Sequence, residues 1–140
     1  MAQILISDSL EKTKKFAKEF SEKLSGGEVI GLVGDLGSGK TTFVQSIAKR
    51  LGIKEKVKSP TFNILKKYSV INHGKIKNFY HLDLYRTNSL DFVDLKEISA
   101  PDSVIFIEWA EKIISFLPKD WIKVEFEYVD ENKRRILISN

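Results

Sequence analysis

The stretch that most limits what this chain can fold into is Gly34-Asp35-Leu36-Gly37-Ser38-Gly39-Lys40-Thr41, which satisfies the pattern GxxxxGK[ST] at every fixed position. An apolar run, Glu28 to Val33, leads into it and reads as a buried strand, and Lys40 to Leu51 follows as a helix stopped by Gly52. Glycines reach backbone angles closed to other residues, so successive N–H groups can curl around phosphate oxygens. The helix that follows points its N-terminus, with its partial positive charge, at the same anion. Lys40 adds a mobile full charge for the outer phosphates, and the Thr41 hydroxyl can ligate Mg²⁺. The segment Gly34 to Thr42 therefore predicts binding of a nucleoside triphosphate with magnesium, and the loop alone does not choose between ATP and GTP.

Length fits one domain, residues 1–140, built on that loop. With 42% hydrophobic residues and no apolar run near the roughly 18 to 20 residues of a membrane span, the composition predicts a soluble chain. Met1 to Ser7 lacks the basic start and cleavage site of a signal peptide, which predicts a cytoplasmic location. The absence of cysteine excludes disulfides, thiolate metal sites and cysteine nucleophiles. Charge is uneven: Lys54 to Lys77 holds seven lysines and one acid, whereas Asp83 to Glu111 holds seven acids against Arg86 and Lys96. The basic stretch is either a solvated strand surface or a face for nucleic acid or an acidic partner.

Elsewhere, Ala2 to Ile6 is strand-like, and Asp8 or Ser9 can cap a helix whose Leu10, Phe16, Ala17, Phe20 and Leu24 form one stripe before Gly26-Gly27. Phe62 to Val70 and Ile76 to Leu84 read as strands joined around Asn72-His73-Gly74. A short helical piece is expected around Ser89 to Leu95, a buried strand at Val104 to Ile107, and a helix from Ala110 that ends before Pro118. Ile122 to Tyr128 and Arg135 to Ser139 alternate as strands around Asp130-Glu131-Asn132. The order predicts a single-domain α/β fold, a P-loop NTPase-like mixed β-sheet flanked by helices.

Three further constellations bear on chemistry. Val104-Ile105-Phe106-Ile107-Glu108 is a buried strand ending in an acid, placed to hold magnesium beside a phosphate loop; Trp109 after it reads more readily as core than as ligand. In His81-Leu82-Asp83-Leu84-Tyr85-Arg86, His81, Asp83 and Tyr85 share one strand face. Asp83 can order an attacking water or help hold the metal, or simply pair with a lysine, and His81 reads as a packed or hydrogen-bonded side chain. Ser59-Pro60-Thr61-Phe62 is a rigid turn that either presents the Thr61 hydroxyl to the terminal phosphate or serves only as a turn.

Taken in order, GDLGSGKTTF, KSPTF, HLDLYR and IEWAEK resemble the TsaE (YjeE) family across nearly the whole chain. The resemblance implies a P-loop ATPase that acts with TsaD and TsaB in forming N6-threonylcarbamoyladenosine on tRNA, with tRNA contact possible through the complex. It implies Lys40 and the loop backbone for phosphate, Thr41 and Glu108 for Mg²⁺, Thr61 and Asp83 for nucleotide sensing, and Thr13 beside the adenine. The catalytic set is then Lys40, Asp83 and Glu108. Ala110, where the family commonly has proline after the tryptophan, and the stretch after Arg86 depart from the pattern. A small-molecule kinase and a nucleotide-dependent binding module remain as alternatives, although four arginines and no long insertion leave little for a kinase lid. None of the four arginines is an easy fit as a finger on the transferring phosphate. Arg50 lies far along the loop helix, Arg86 falls on the opposite strand face from Asp83, and Arg134 and Arg135 sit on a hairpin that no nucleotide motif ties to the loop.

Overall fold

The computed structural model describes residues 3–35, 37, 39–58, 65–71, 73–87 and 94–139. Strands β1 (Gln3–Ser7), β2 (Val29–Gly34), β3 (Leu65–Ser69), β4 (Asn78–Asp83), β5 (Ser103–Glu108), β6 (Ile122–Asp130) and β7 (Lys133–Ser139) form one sheet in the order β1-β7-β6-β2-β5-β4-β3. Its centre, β6-β2-β5-β4, is parallel, and β1/β7, β6/β7 and β3/β4 are antiparallel pairs. Helices α1 (Leu10–Glu22), α2 (Lys40–Arg50) and α3 (Leu95–Ile98), with a 3-10 segment at Ala110–Phe116, complete the mixed α/β architecture that the order of elements predicts.

Apolar residues on both faces of β2 and β5 require cover on both sides. Ile30, Leu32, Val104 and Phe106 pack with Phe16 and Phe20 of α1 and Phe43 and Ile47 of α2 in one core. The alternate residues Val29, Ile105 and Ile107 meet Leu95, Ala110 and Ile113 in a second. Gly31 makes the second core possible, since a Cβ there would lie 2.8 Å from the Ala110 Cβ and 2.5 Å from the Trp121 ring. The two layers leave β2, β4 and β5 ending together at Gly34, Asp83 and Glu108, the sheet edge at which open parallel sheets bind ligands.

Several local expectations shift. Ser9, not Asp8, caps α1, accepting from the Lys12 N–H. Leu10 is exposed rather than on the buried stripe, and Thr13 fills the first inward position, its hydroxyl 2.6 Å from that of Ser7. The short helix lies at Leu95–Ile98 under an Asp94 cap, later than expected, and residues 88–93 are outside the described ones. The segment after Trp109 does end before Pro118 but is 3-10, kinked at Ile113. The β3/β4 hairpin forms, with its turn spanning residues 70–77; Asn72 is outside the described residues.

Phe43 is fully buried, with the rings of Phe16, Phe20 and Phe126 at 5.8, 5.5 and 5.4 Å. It ties α1, α2 and β6 together. Phe43→Ala is expected to cost ~3–5 kcal/mol of unfolding free energy, measured by urea denaturation.

Candidate functional site

Gly37 and Gly39 have φ of 75° and 105°, in the region that glycine enters without steric cost, and between them they turn the chain from β2 into α2. Gly39 is the N-cap of α2 and carries no side chain, and the start of the helix turns its partial positive charge toward the loop. Leu36 and Ser38 lie outside the described residues, as does Thr61. Asp35 is exposed on the loop, and Thr42 is half-buried in the first turn of α2.

Around this cradle the structure brings together the acids of β4 and β5. Thr41 Oγ1 donates to Glu108 Oε1 at 2.9 Å, and His81 Nε2 lies 2.6 Å from Glu108 Oε2, so both carboxylate oxygens are fixed. His81 is fully buried, and its Nδ1 has no partner among the described residues. Asp83 stands directly opposite Glu108 across the β4/β5 pair, and its carboxylate accepts from the Tyr85 N–H at 3.0 Å. Lys40 is only 5% exposed; its ammonium donates to the Gly34 carbonyl and sits 3.6 Å from the centre of the Trp109 ring. Burial pushes the Lys40 pKa down, opposed by the negative charges of Glu108, Glu111, Asp83 and Asp35.

Sequence reasoning missed two features. Trp109 packs against the second core, as the sequence predicts, but its half-buried ring also faces Lys40, which the sequence does not signal. Arg134, which no sequence motif ties to the loop, has a guanidinium that donates to the carbonyls of Asp130 (2.7 Å), Lys133 (2.9 Å) and Gly37 (3.3 Å). The tie follows from β6 pairing in parallel with β2, with Phe126 opposite Gly34, which carries the β6/β7 hairpin to the loop. A cavity of ≈ 290 Å³ opens there, lined by Thr13, Gly37, Gly39, Thr42, Asn132 and Arg134 among others. Arg86 lies beyond the end of β4 at Asp83, so the strand-face argument does not apply to it.

Among the described residues no group of three or more His, Asp or Glu forms a metal cage. The Thr41 hydroxyl and the Glu108 carboxylate are hard oxygen donors side by side. That set suits a magnesium ion whose remaining positions are taken by phosphate and water.

A strand, a glycine turn and a helix start, facing an acid on the adjacent parallel strand of a mixed seven-stranded sheet, define an α/β protein of P-loop NTPase-like fold. The family model of threonylcarbamoyl adenosine biosynthesis protein TsaE matches residues 7–136, and the chain belongs to that family. A tRNA threonylcarbamoyladenosine biosynthesis protein TsaE of Aquifex aeolicus is 40% identical over 136 residues, 96% of this chain and 93% of the relative. Its namesake in Borreliella burgdorferi is 41% identical over 121 residues, 84% of this chain and 85% of the relative. The crystal structure of Bacillus subtilis YdiB superposes with a TM-score of 0.79 at 31% identity, covering 99% of this chain and 84% of that one. No helix among the described residues is long and apolar enough to cross a membrane.

The lowered Lys40 pKa has a consequence for stability. Between that pKa and 10.5 the unfolded chain binds more protons than the folded one, so unfolding free energy rises with pH across this window. Lys40→Met removes the effect. The stability gap between Lys40→Met and the parent chain should narrow as pH rises toward 10.5, measured by denaturant titration at several alkaline pH values.

Proposed function

We propose that this chain is an MgATP-binding P-loop ATPase that serves the formation of N6-threonylcarbamoyladenosine on tRNA together with TsaD and TsaB. The observation that carries the proposal is the contact of Thr41 with Glu108 at the end of the parallel strands, beside the start of α2 and a buried lysine. Family membership supports the part in tRNA threonylcarbamoyladenosine biosynthesis, and the TsaD and TsaB partners are what the motif resemblance implies.

In this reading the backbone from Gly34 to Thr42 receives the phosphates, and Lys40 neutralises the outer ones. Thr41 and Glu108 hold magnesium, which when bound offsets charge on the phosphate oxygens. His81 fixes the second oxygen of Glu108, leaving the first for Thr41 and the metal site. Asp83, opposite Glu108, orients the attacking water. Thr61 is assigned to sensing the terminal phosphate, and Thr13 with the pocket beside Gly37 to the nucleoside. The chain works as one domain in the cytoplasm and reaches tRNA only through the complex.

MgATP at a hundred times its dissociation constant should stabilise the fold by ~2.7 kcal/mol. Thermal unfolding with and without millimolar MgATP checks this, and no shift would count against the reading. Glu108→Gln, nearly isosteric, should keep most of the nucleotide affinity while lowering phosphate release by about a hundredfold or more. Intact hydrolysis in that variant at saturating Mg²⁺ would remove Glu108 from the mechanism.

Nucleotide-dependent partners follow from the arginines. Arg134 is engaged with three loop and hairpin carbonyls, Arg50 is the last residue of α2, and Arg86 is exposed beyond β4. A cation for the transferring phosphate, which is worth roughly 10³ to 10⁵ in rate in this class, is then left to the exposed Arg86 or to a second protein, and the family resemblance favours the second protein. Steady-state ATPase of the chain alone should be slow and should rise with the TsaD and TsaB pair. Reversing charge at Lys54, Lys56 and Lys58, exposed on the basic stretch, should reduce that stimulation.

A further inference from the structure

We propose that Trp109 is a positioning residue for Lys40, its ring holding the ammonium at the mouth of the loop so that the charge is in place before phosphate arrives. The inference rests on the triphosphate reading above and adds to it a residue that acts through the lysine.

The geometry around the ring carries it. Lys40 Nζ lies 3.6 Å from the ring centre, and the lysine is 5% exposed, so the ammonium faces the π cloud with little water to compete. Cation–π contacts are strongest in such desolvated settings, and tryptophan offers the best ring face for them. The ring is braced from elsewhere as well. Tyr85 packs against it with the rings tilted by 36° and 5.3 Å between centroids, and the Lys112 ammonium, 5.7 Å from its centre, donates to the carbonyls of Leu84, Tyr85 and Thr87 at 2.9, 3.0 and 3.2 Å. Segment 84–87 is therefore tied to the same ring that faces the loop lysine.

The backbone gives independent support. Trp109 has φ 63° and ψ 39°, and it alone among the described non-glycine residues has a positive φ. A bulky side chain is an outlier in that region, where glycine would sit without strain. Such outliers persist where the surroundings hold them, and they gather at functional sites. Here the unusual turn has an identifiable use. In a regular strand Glu108 and Trp109 point to opposite faces of the sheet. The turn at Trp109 ends β5 so that the two residues meet consecutive residues of α2, with Glu108 on Thr41 and Trp109 on Lys40.

Trp109→Gly tests the role of the ring, because glycine accepts the turn that the backbone already makes. A double-mutant cycle with Lys40→Ala, read as MgATP affinity by calorimetry, separates positioning from general support of the fold. Trp109→Gly alone should weaken MgATP by about 3- to 30-fold, the range of a desolvated cation–π contact. It should leave AMP affinity unchanged and cause no further loss in the Lys40→Ala background. Trp109→Phe, which keeps a ring face, should recover most of the affinity. Tyr85→Ala, at an exposed position that leaves the turn untouched, should give a smaller loss that also disappears with Lys40→Ala, and so reads the same coupling if the glycine variant does not fold. Losses that multiply across the cycle, or a Trp109→Gly protein that binds MgATP as tightly as the parent, overturn the positioning role. If Lys40→Ala itself binds MgATP like the parent, the triphosphate reading fails first and this inference falls with it.

Discussion

Because β2 and β5 pair in parallel with Leu32 opposite Glu108, the acid and the start of the glycine loop reach the same edge of the sheet with no flexible link between them. β4 joins β5 in the same sense and sets Asp83 opposite Glu108. Thr41, 67 residues away in sequence, then meets Glu108 at hydrogen-bond distance because α2 starts where β2 ends. The entropy of bringing these groups together is met when the sheet folds, so little remains to be lost at each binding event. Cover on both faces is what keeps this pairing rigid, and β5 is buried at all six of its positions.

The edge concentrates opposite charges under partial burial. Lys40 is desolvated by its surroundings and supported by four carboxylates, of which Glu108 contributes most. Glu108 is itself held by a hydroxyl and an imidazole, and the imidazole's second nitrogen is left without a partner among the described residues. An unpaired buried polar atom costs about 1–3 kcal/mol. A leucine at position 81 would avoid that cost but could not orient the carboxylate, so the arrangement favours a fixed acid over stability.

The loop and the acid at the end of β5 were legible in the sequence because each is a local pattern: glycines at set spacing, and an apolar run closed by a carboxylate. The mixed sheet followed from the same local signals. Arg134 was not legible, since its contact with Gly37 joins residues 97 apart and exists only because β6 pairs with β2 and the hairpin is long enough to reach the loop. Leu10 misled because helical periodicity assigns a stripe without knowing where the cover ends; at the first turn of α1 the inward place belongs to Thr13, bonded to Ser7. The Trp109 turn was equally hidden, because nothing in an apolar strand followed by tryptophan signals a left-handed backbone.

The costliest departures from an ideal fold gather in one place. The positive φ of Trp109, the buried Lys40 and the His81 nitrogen that has no partner among the described residues all lie at the end of the parallel strands, whereas the two cores below them are apolar. A sequence selected for stability alone would place an apolar residue at 81 and 40, and could relax the turn at 109 with glycine only by giving up the ring's packing on the second core and Tyr85. Each of these choices would remove a charge, a ring or a directed hydrogen bond from one edge. Strain and desolvation are sustained where local and global preferences conflict over function. The cores beneath, centred on Phe43 and on β5, provide the stability against which that edge is held.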